Sequence, residues 1–489
     1  MNILILKISY FIRSVTVLVF SFVLFHQSIG QIPVNKLFGT YFTETGKTAV
    51  TLSDSTVYAF GTSSAQQDKS SQFYLLKTDS ALNYKWSKFY GSSGVDDGAD
   101  MYYNTDSSYI YMIGNSYINA TKTYDIKLIK TDSSGTIIFE KNFGTNNWDF
   151  CKKIIPLANG NLAICGYTYG SSYGLADAFV LLTNYKGDSL GMFITGDAYD
   201  NFFLDIVQRS SDTLVMVGEW GSSTGLKKGV ISEFDLNTQT FSTSSYNSGF
   251  NFSFNAIALN LDGNYFISAD NDSTGGGGAN GSGMVFHKNS HTKILEMFIG
   301  APLDEYCFDV KYFNNSYRIL CQTYSFGLGN GDMIYHQFDN GGWWITGRTF
   351  GDAYTNEMNA MVFNQNNSLL FVGTSVYNFG ASDLWIVNLD SNYNATATIS
   401  SELDPNYIDE TNSFTNNQLK IYPNPFNNKF QVSTDEIPET VFVKDINGKI
   451  IQTANKTKWI NAQEISVGVY LLEVHFKNSI QSIPIIKTN

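Results

Sequence analysis

Residues 91–144 read GSSGVDDGADMYYNTDSSYIYMIGNSYINATKTYDIKLIKTDSSGTIIFEKNFG, and residues 144–196 read GTNNWDFCKKIIPLANGNLAICGYTYGSSYGLADAFVLLTNYKGDSLGMFITG. Each stretch breaks into four short apolar runs. In the second they fall near Cys151–Leu157, Leu162–Thr168, Ala178–Thr183 and Ser189–Ile194. Turn chemistry separates them: Asn159-Gly160 reads as a tight hairpin and Lys186-Gly187-Asp188 as another. Four antiparallel strands in a unit of this length make a propeller blade, which buries both faces against its neighbours and does not fold alone.

The unit recurs along most of the chain. A short apolar strand ends in glycine at Gly39, Gly91, Gly144, Gly196, Gly249, Gly300 and Gly351, in steps of 51 to 53 residues. A period near 50 marks a repeat architecture. The third strand opens on Asp125, Asp177, Asp332 or Asp383, and the second strand ends near Gly61, Gly114, Gly166, Gly218 or Gly373, where a neighbouring backbone comes close or the strand bends. The first unit, Ile32–Gly39, is a lone fourth strand, and the last unit has three strands ending at Asp390. The expectation is an all-β, seven-bladed β-propeller whose N-terminal strand completes the last blade and removes the open edge. The alternative for that position is an outer strand made by Asn394–Ile399.

Composition agrees. Aromatic residues make up 15% of the 489, as strands favour, and only 8 prolines occur. The net charge is −13 although both ends of the chain are net basic, so the acidic excess lies in the body. Such a body disfavours polyanions, and no nucleic-acid partner is expected. Residues 1–30 read as a signal peptide: Lys7 and Arg13 precede an apolar run, Val15–Phe25, and Ser28-Ile29-Gly30 offers small residues for cleavage before Gln31. No later run is long and apolar enough for a membrane span, so no transmembrane segment is expected in the mature chain. The organisation is therefore a propeller over 31–399, a polar acidic linker over 400–417 and a small strand-rich unit over 418–489, whose alternation and Asn447-Gly448 turn predict an antiparallel β-sandwich.

The four cysteines fall on the repeat. Cys151 and Cys165, like Cys307 and Cys321, are separated by 14 residues and occupy the first and second strands of blades three and six. An even count in an exported chain predicts the disulfides Cys151–Cys165 and Cys307–Cys321. Register decides the pairing: in blade three a two-residue turn puts the cysteines on opposite faces, and a three- or five-residue loop puts them on the same face.

In the C-terminal unit, Tyr422-Pro423-Asn424-Pro425, then Asp445-Ile446-Asn447-Gly448-Lys449, then Gly468-Val469-Tyr470-Leu471, then a last strand with Lys487, follow one another to the chain's end. This run resembles the type A C-terminal sorting domain of type IX secretion cargo. The resemblance implies handling by the type IX secretion machinery, removal of the domain, and release from, or display on the outer cell surface of, a Gram-negative bacterium of the Bacteroidetes type. The repeats more loosely resemble the propeller arrays found upstream of such domains, which implies a fold and no activity.

Chemistry is sparse. Carboxylates recur just after each repeat glycine, among them Asp149, Asp200 and Asp304, in the loop that leads into the next blade. They read either as an acidic ring at the channel mouth or as caps on turn N–H groups, and repetition favours the cap. Function is expected where the repeat is broken. Tyr169, Trp220 and Tyr324 fall in or beside equivalent loops of several blades, as do Tyr117, Tyr167 and Tyr173, and aromatic rings beside carboxylates stack on sugars or pack between blades. Asp270-x-Asp272-x-Thr274-Gly275 resembles the start of a calcium loop but lacks its terminal Glu, so calcium is an expectation set against a flexible Gly-rich loop; no other cofactor is expected. Trp343-Trp344 marks an aromatic surface patch. No HExxH or GxSxG motif occurs. The leading expectation is non-catalytic binding of an extracellular glycan or protein, with a carbohydrate-active hydrolase or lyase, or a structural envelope protein, as alternatives.

Overall fold

The structure is a computed structural model. It describes residues 34–403 and 420–488 apart from 41, 65–69, 247–248, 273–278, 300–302, 327–330, 352–354, 364–368, 377–381, 390–399, 423–425, 434–436, 446–448 and 478–479. The signal peptide, residues 404–417 of the expected linker, the Asn394–Ile399 alternative, Thr274-Gly275, Pro423-Asn424-Pro425 and Gly448 thus lie outside the described residues. The chain divides into two compact units, 1–408 and 409–489.

In the first unit, six sheets of four sequential antiparallel strands follow one another, and a seventh takes its fourth strand from the N-terminus. Val34–Gly39 pairs antiparallel with Asp383–Asn388, Leu37 standing opposite Trp385. Leu37 and Trp385 are fully buried, and the Trp385 Nε1–H donates to Asn35 Oδ1 at 2.6 Å. The predicted closure is therefore how the ring is made, and each large apolar side chain it buries contributes about 1.5–3 kcal/mol. Ser400–Leu403 adds a fifth, parallel strand outside Lys36–Gly39. The first strand of each blade packs against the first strand of the next, and Asn356–Phe363 of the last against Glu44–Thr51 of the first.

The repeat glycine has a steric cause. A Cβ on Gly39 would lie 1.9 Å from Asp383 Oδ1 and 3.1 Å from Glu44 Oε2. At Gly196 it would meet Asp177 and Asn201, and at Gly144 Asp149 and Asp125. At these three junctions the acid that opens the third strand and the acid or amide that opens the next blade's first strand converge on this spot, so only hydrogen fits; Gly249 is held instead by a left-handed backbone, φ +85°, with nothing within 4 Å of a Cβ. The residue after the glycine donates its N–H into the same group: Thr40 to Glu44 at 2.7 Å, Thr145 to Asp149 at 2.6 Å and Asp197 to Asn201 at 2.8 Å.

Every first strand carries a β-bulge at the same place, between Gly46 and Thr48 in blade one and between Met358 and Ala360 in blade seven. The bulge, taken with the length of the hairpin that follows, decides the cysteine chemistry: Phe313 pairs with Ser316 across a two-residue turn in blade six, and Pro156 with Leu162 across a five-residue loop in blade three. In blade six the combination sets Cys307 directly opposite Cys321, and the disulfide forms. In blade three the hairpin runs through Leu157–Asn161, with Gly160 at φ +82°, and is the longer loop that alone would keep both cysteines on one face. The bulge after Cys151 cancels this: Cys151 faces Gly166 and Cys165 faces Lys153. Cys151 then packs in the core shared with blade two and Cys165 in the core shared with blade four. The expected Cys151–Cys165 bond is corrected accordingly: both are buried free thiols. Burial pushes both thiols well up, which keeps them unreactive.

The second unit is a sandwich of a three-stranded and a four-stranded sheet. Its core includes Phe426, Phe430, Val441, Ile460, Leu472 and Ile485. Tyr422 closes the strand Lys420–Tyr422, and Gly468 and Tyr470 begin the strand Gly468–His475. The Tyr470 hydroxyl donates to the Ser466 carbonyl at 2.8 Å, and Lys449 is exposed.

Candidate functional site

The carboxylate-bearing, aromatic and Gly-rich loops singled out in the sequence lie at one end of the propeller, because first strands start there and second strands end there; the Trp343-Trp344 hairpin, between the third and fourth strands of blade six, lies at the other. The carboxylates divide at this end. Asp149 is fully buried, and its oxygens accept the Thr145 N–H and hydroxyl. Asp304 Oδ1 accepts the Ala279 N–H at 2.6 Å, and its Oδ2 accepts the Tyr306 hydroxyl at 3.2 Å. Asp200 is partly exposed, and its backbone carbonyl ties down Gly221. Asp149 thus sits within the blade-closing cap and Asp304 at the rim.

Asp270 is also a linker between blades. The inner strand of each blade is an edge facing the channel, so its outward N–H groups need partners. Residues at the end of the preceding blade's second strand supply them: Thr62 to the N–H of Gly98, Asn115 to that of Cys151, Asp270 to that of Cys307 and Thr374 to that of Gly46. Burial pushes the Asp270 carboxyl up to about 7, against the Cys307 and Asn255 hydrogen bonds. Asp272 accepts the backbone and side-chain N–H groups of Asn251 at 2.8 and 2.7 Å. Among the described residues no group of three or more acidic, His or Cys side chains is placed to hold a metal ion.

The aromatic residues form a continuous surface. In blades three and four, the residue after the buried cap is aromatic, Phe150 after Asp149 and Phe202 after Asn201; strand alternation turns each to the face opposite its cap. Tyr117 meets Tyr124 at 5.2 Å, Tyr124 meets Trp148 at 5.7 Å and Phe150 at 5.3 Å, and Phe150 meets Tyr167 at 5.2 Å. Tyr167 meets Phe202 at 4.5 Å, and Trp148 meets Tyr169 at 6.5 Å. These seven rings run from blade two to blade four in edge-to-face and tilted contacts, with Trp148 45% and Tyr169 38% exposed. Lys152 Nζ stands 5.6 Å over the Tyr167 ring. Burial pushes the Tyr167 hydroxyl up to about 12, so it remains protonated at neutral pH.

Tyr324 belongs to a separate cluster on blade six, edge-on to Tyr306 at 6.3 Å and 40% exposed. Trp220 is partly buried at the end of the second strand of blade four, and its Nε1–H is buried with no hydrogen-bond partner among the described residues. The structure therefore joins Tyr117, Tyr167 and Tyr169 and leaves Trp220 and Tyr324 outside the band. Sequence reasoning missed Tyr124, Trp148, Phe150 and Phe202. The available signal was period two: a ring next to a cap residue takes the sheet face opposite the cap.

Residues 420–488 match the family model described as a secretion system C-terminal sorting domain. No curated protein matches the chain. Among solved structures, a polysaccharide lyase described as PL25 ulvan lyase is 10% identical with a TM-score of 0.51, over 71% of this chain and 95% of that one. The same lyase bound to -[GlcA(1-4)Rha3S]- gives 0.50 at 10% identity over the same shares. The β-propeller domain of the Trilobed protease from Pyrococcus furiosus gives 0.42 at 9% identity, over 73% of this chain and 94% of that one. At such identity the likeness speaks for the fold alone. The C-terminal unit is a type IX secretion sorting domain, and the chain is an exported β-propeller cargo of that system, secreted from or held at the outer surface of a Bacteroidetes-type bacterium.

Proposed function

We propose that the propeller is a non-catalytic glycan-binding module, delivered outside the cell by its sorting domain. The observation that carries this reading is the band of seven aromatic rings at the channel mouth, edged by exposed Trp148 and Tyr169. A ring face offers sugar C–H groups an apolar surface, and the Tyr167 and Tyr169 hydroxyls add polar contacts at its edge. The buried carboxylates do not compete as catalytic groups, since caps such as Asp149 have their oxygens engaged by the turn they hold.

One observation favours a second reading. Asp270, with a carboxyl raised to about 7, has the protonation behaviour of a general acid or base, which suits a lyase or hydrolase. Its oxygens are committed to the Cys307 N–H and to Asn255, so binding remains preferred. The test is affinity electrophoresis of the chain through a panel of soluble polysaccharides. At least one is expected to retard it, and Trp148→Ala or Tyr169→Ala is expected to weaken binding roughly fivefold, for about 1 kcal/mol per lost stacking contact. Retardation unchanged in the Trp148→Ala/Tyr169→Ala double variant would remove the reading. Polysaccharide turnover abolished by Asp270→Asn would replace it with the enzymatic one.

A further inference from the structure

The opposite, hairpin end of the channel holds a different constellation. Directly after the bulge, blades two, four and six each present an aspartate: Asp100, Asp205 and Asp309. Each reaches across to the next blade and accepts an edge N–H, Asp100 from Ile154 at 3.0 Å, Asp205 from Ile257 at 2.9 Å and Asp309 from Met361 at 2.8 Å. Blade three carries Lys153 at the same position, and its ammonium lies 3.3 Å from Asp100 Oδ1. Lys311, two residues after Asp309 on the same strand, lies 2.6 Å from Asp309 Oδ1.

A cavity of about 380 Å³ opens among these groups. Its polar side holds Asp100, Lys153, Asp309 and Lys311; Val50, Tyr102 and Phe363 are among its apolar walls. The two charge types differ in what they have left to offer. The aspartates already receive backbone N–H groups and lysines. Each ammonium carries three N–H donors and has one carboxylate partner among the described residues, while about a third of each lysine side chain stays accessible. The four charged side chains that line the cavity, Asp100, Asp309, Lys153 and Lys311, balance in sign before a ligand arrives. The unfilled capacity of the cavity is therefore cationic N–H donors beside aromatic and aliphatic walls.

We infer that this cavity is a second binding site, for an organic anion of single-sugar size with an apolar face, such as a hexuronate, whose carboxylate is held between Lys153 and Lys311. The site stands at the far end of the channel from the aromatic band and does not depend on it. The probes are glucuronate and galacturonate, titrated calorimetrically into the full chain at low salt, with glucose as the neutral control. Saturable binding of at least one uronate at roughly millimolar or tighter dissociation constant is expected, with glucose binding at least about tenfold more weakly. Lys311→Met, at a partly exposed position, is expected to fold with an unchanged circular dichroism spectrum and to lose at least about tenfold in uronate affinity. Lys153→Met is expected to do the same, and Trp148→Ala is expected to leave uronate binding intact. No saturable heat with either uronate, equal binding of glucose, or full affinity in Lys311→Met overturns the assignment.

Discussion

Adding reductant is expected to destabilise blade six and leave blade three untouched, although the two blades carry cysteines at the same repeat positions. The Cys307–Cys321 bond spans a separation of 14 residues. Closing a loop of that size in the unfolded chain corresponds to about 3 kcal/mol of stability by the chain-entropy estimate. Cys151 and Cys165 lie in different inter-blade cores, so reduction has nothing to break there. Alkylation in denaturant should find two free thiols in the unreduced chain and four after reduction. Urea unfolding followed by fluorescence should show a lower midpoint in reductant. The Cys151→Ala/Cys165→Ala variant should keep that sensitivity, and Cys307→Ala/Cys321→Ala should lose it. Finding no free thiols in the unreduced denatured chain would refute the register argument, because it would require a bond that the bulge forbids.

Other perturbations probe the scaffold. Gly39→Ala places a Cβ 1.9 Å from Asp383 Oδ1 and is expected to cost about 1–3 kcal/mol, read as a lower melting temperature; an unchanged melt would deny the glycine its steric role. Leu37→Ala, in the strand that closes the ring, is expected to cost about 2–5 kcal/mol by urea unfolding, and a cost near zero would mean the closing strand is dispensable. The Asp270 carboxyl is raised from 3.8 to about 7 in the folded chain, so its neutral form adds stability that is complete below about pH 4 and is lost as pH rises through about 7. Asp270→Asn is therefore expected to flatten the fall in melting temperature across that window, and a wild-type slope in the variant would contradict the cause assigned.

The sequence made the architecture legible because the scaffold residues repeat. Glycine, cap and third-strand aspartate recur with a common period in most copies, and the orphan strand Val34–Gly39 announces the closure. Two features escaped. The bulge inserts one residue into every first strand without any local signature in the sequence and reverses which side chains share a face; the hairpin then separates the two blades, since Phe313 pairs with Ser316 across a two-residue turn in blade six and Pro156 with Leu162 across a five-residue loop in blade three, and equal spacing yields one disulfide and two thiols. The aromatic band was half visible. Tyr169 sits in an irregular loop and Tyr167 next to the end of its strand, and both drew attention, whereas Phe150 and Phe202 lie near the start of regular strands, where aromatics are common, and only their place beside the caps Asp149 and Asn201 sets them apart. The channel aspartates escaped for a similar reason, since Asp100, Asp205 and Asp309 recur in alternate blades and a search for a feature of every blade passes over them.

The most direct test of the account is a crystal structure of the chain soaked with an oligosaccharide from whichever polysaccharide retards it. Sugar density stacked on the rings of Trp148, Tyr169 or Phe150 is the predicted result. Density seated only on blade six beside Tyr324, on the outer strands around Trp344, or nowhere on the propeller would contradict it.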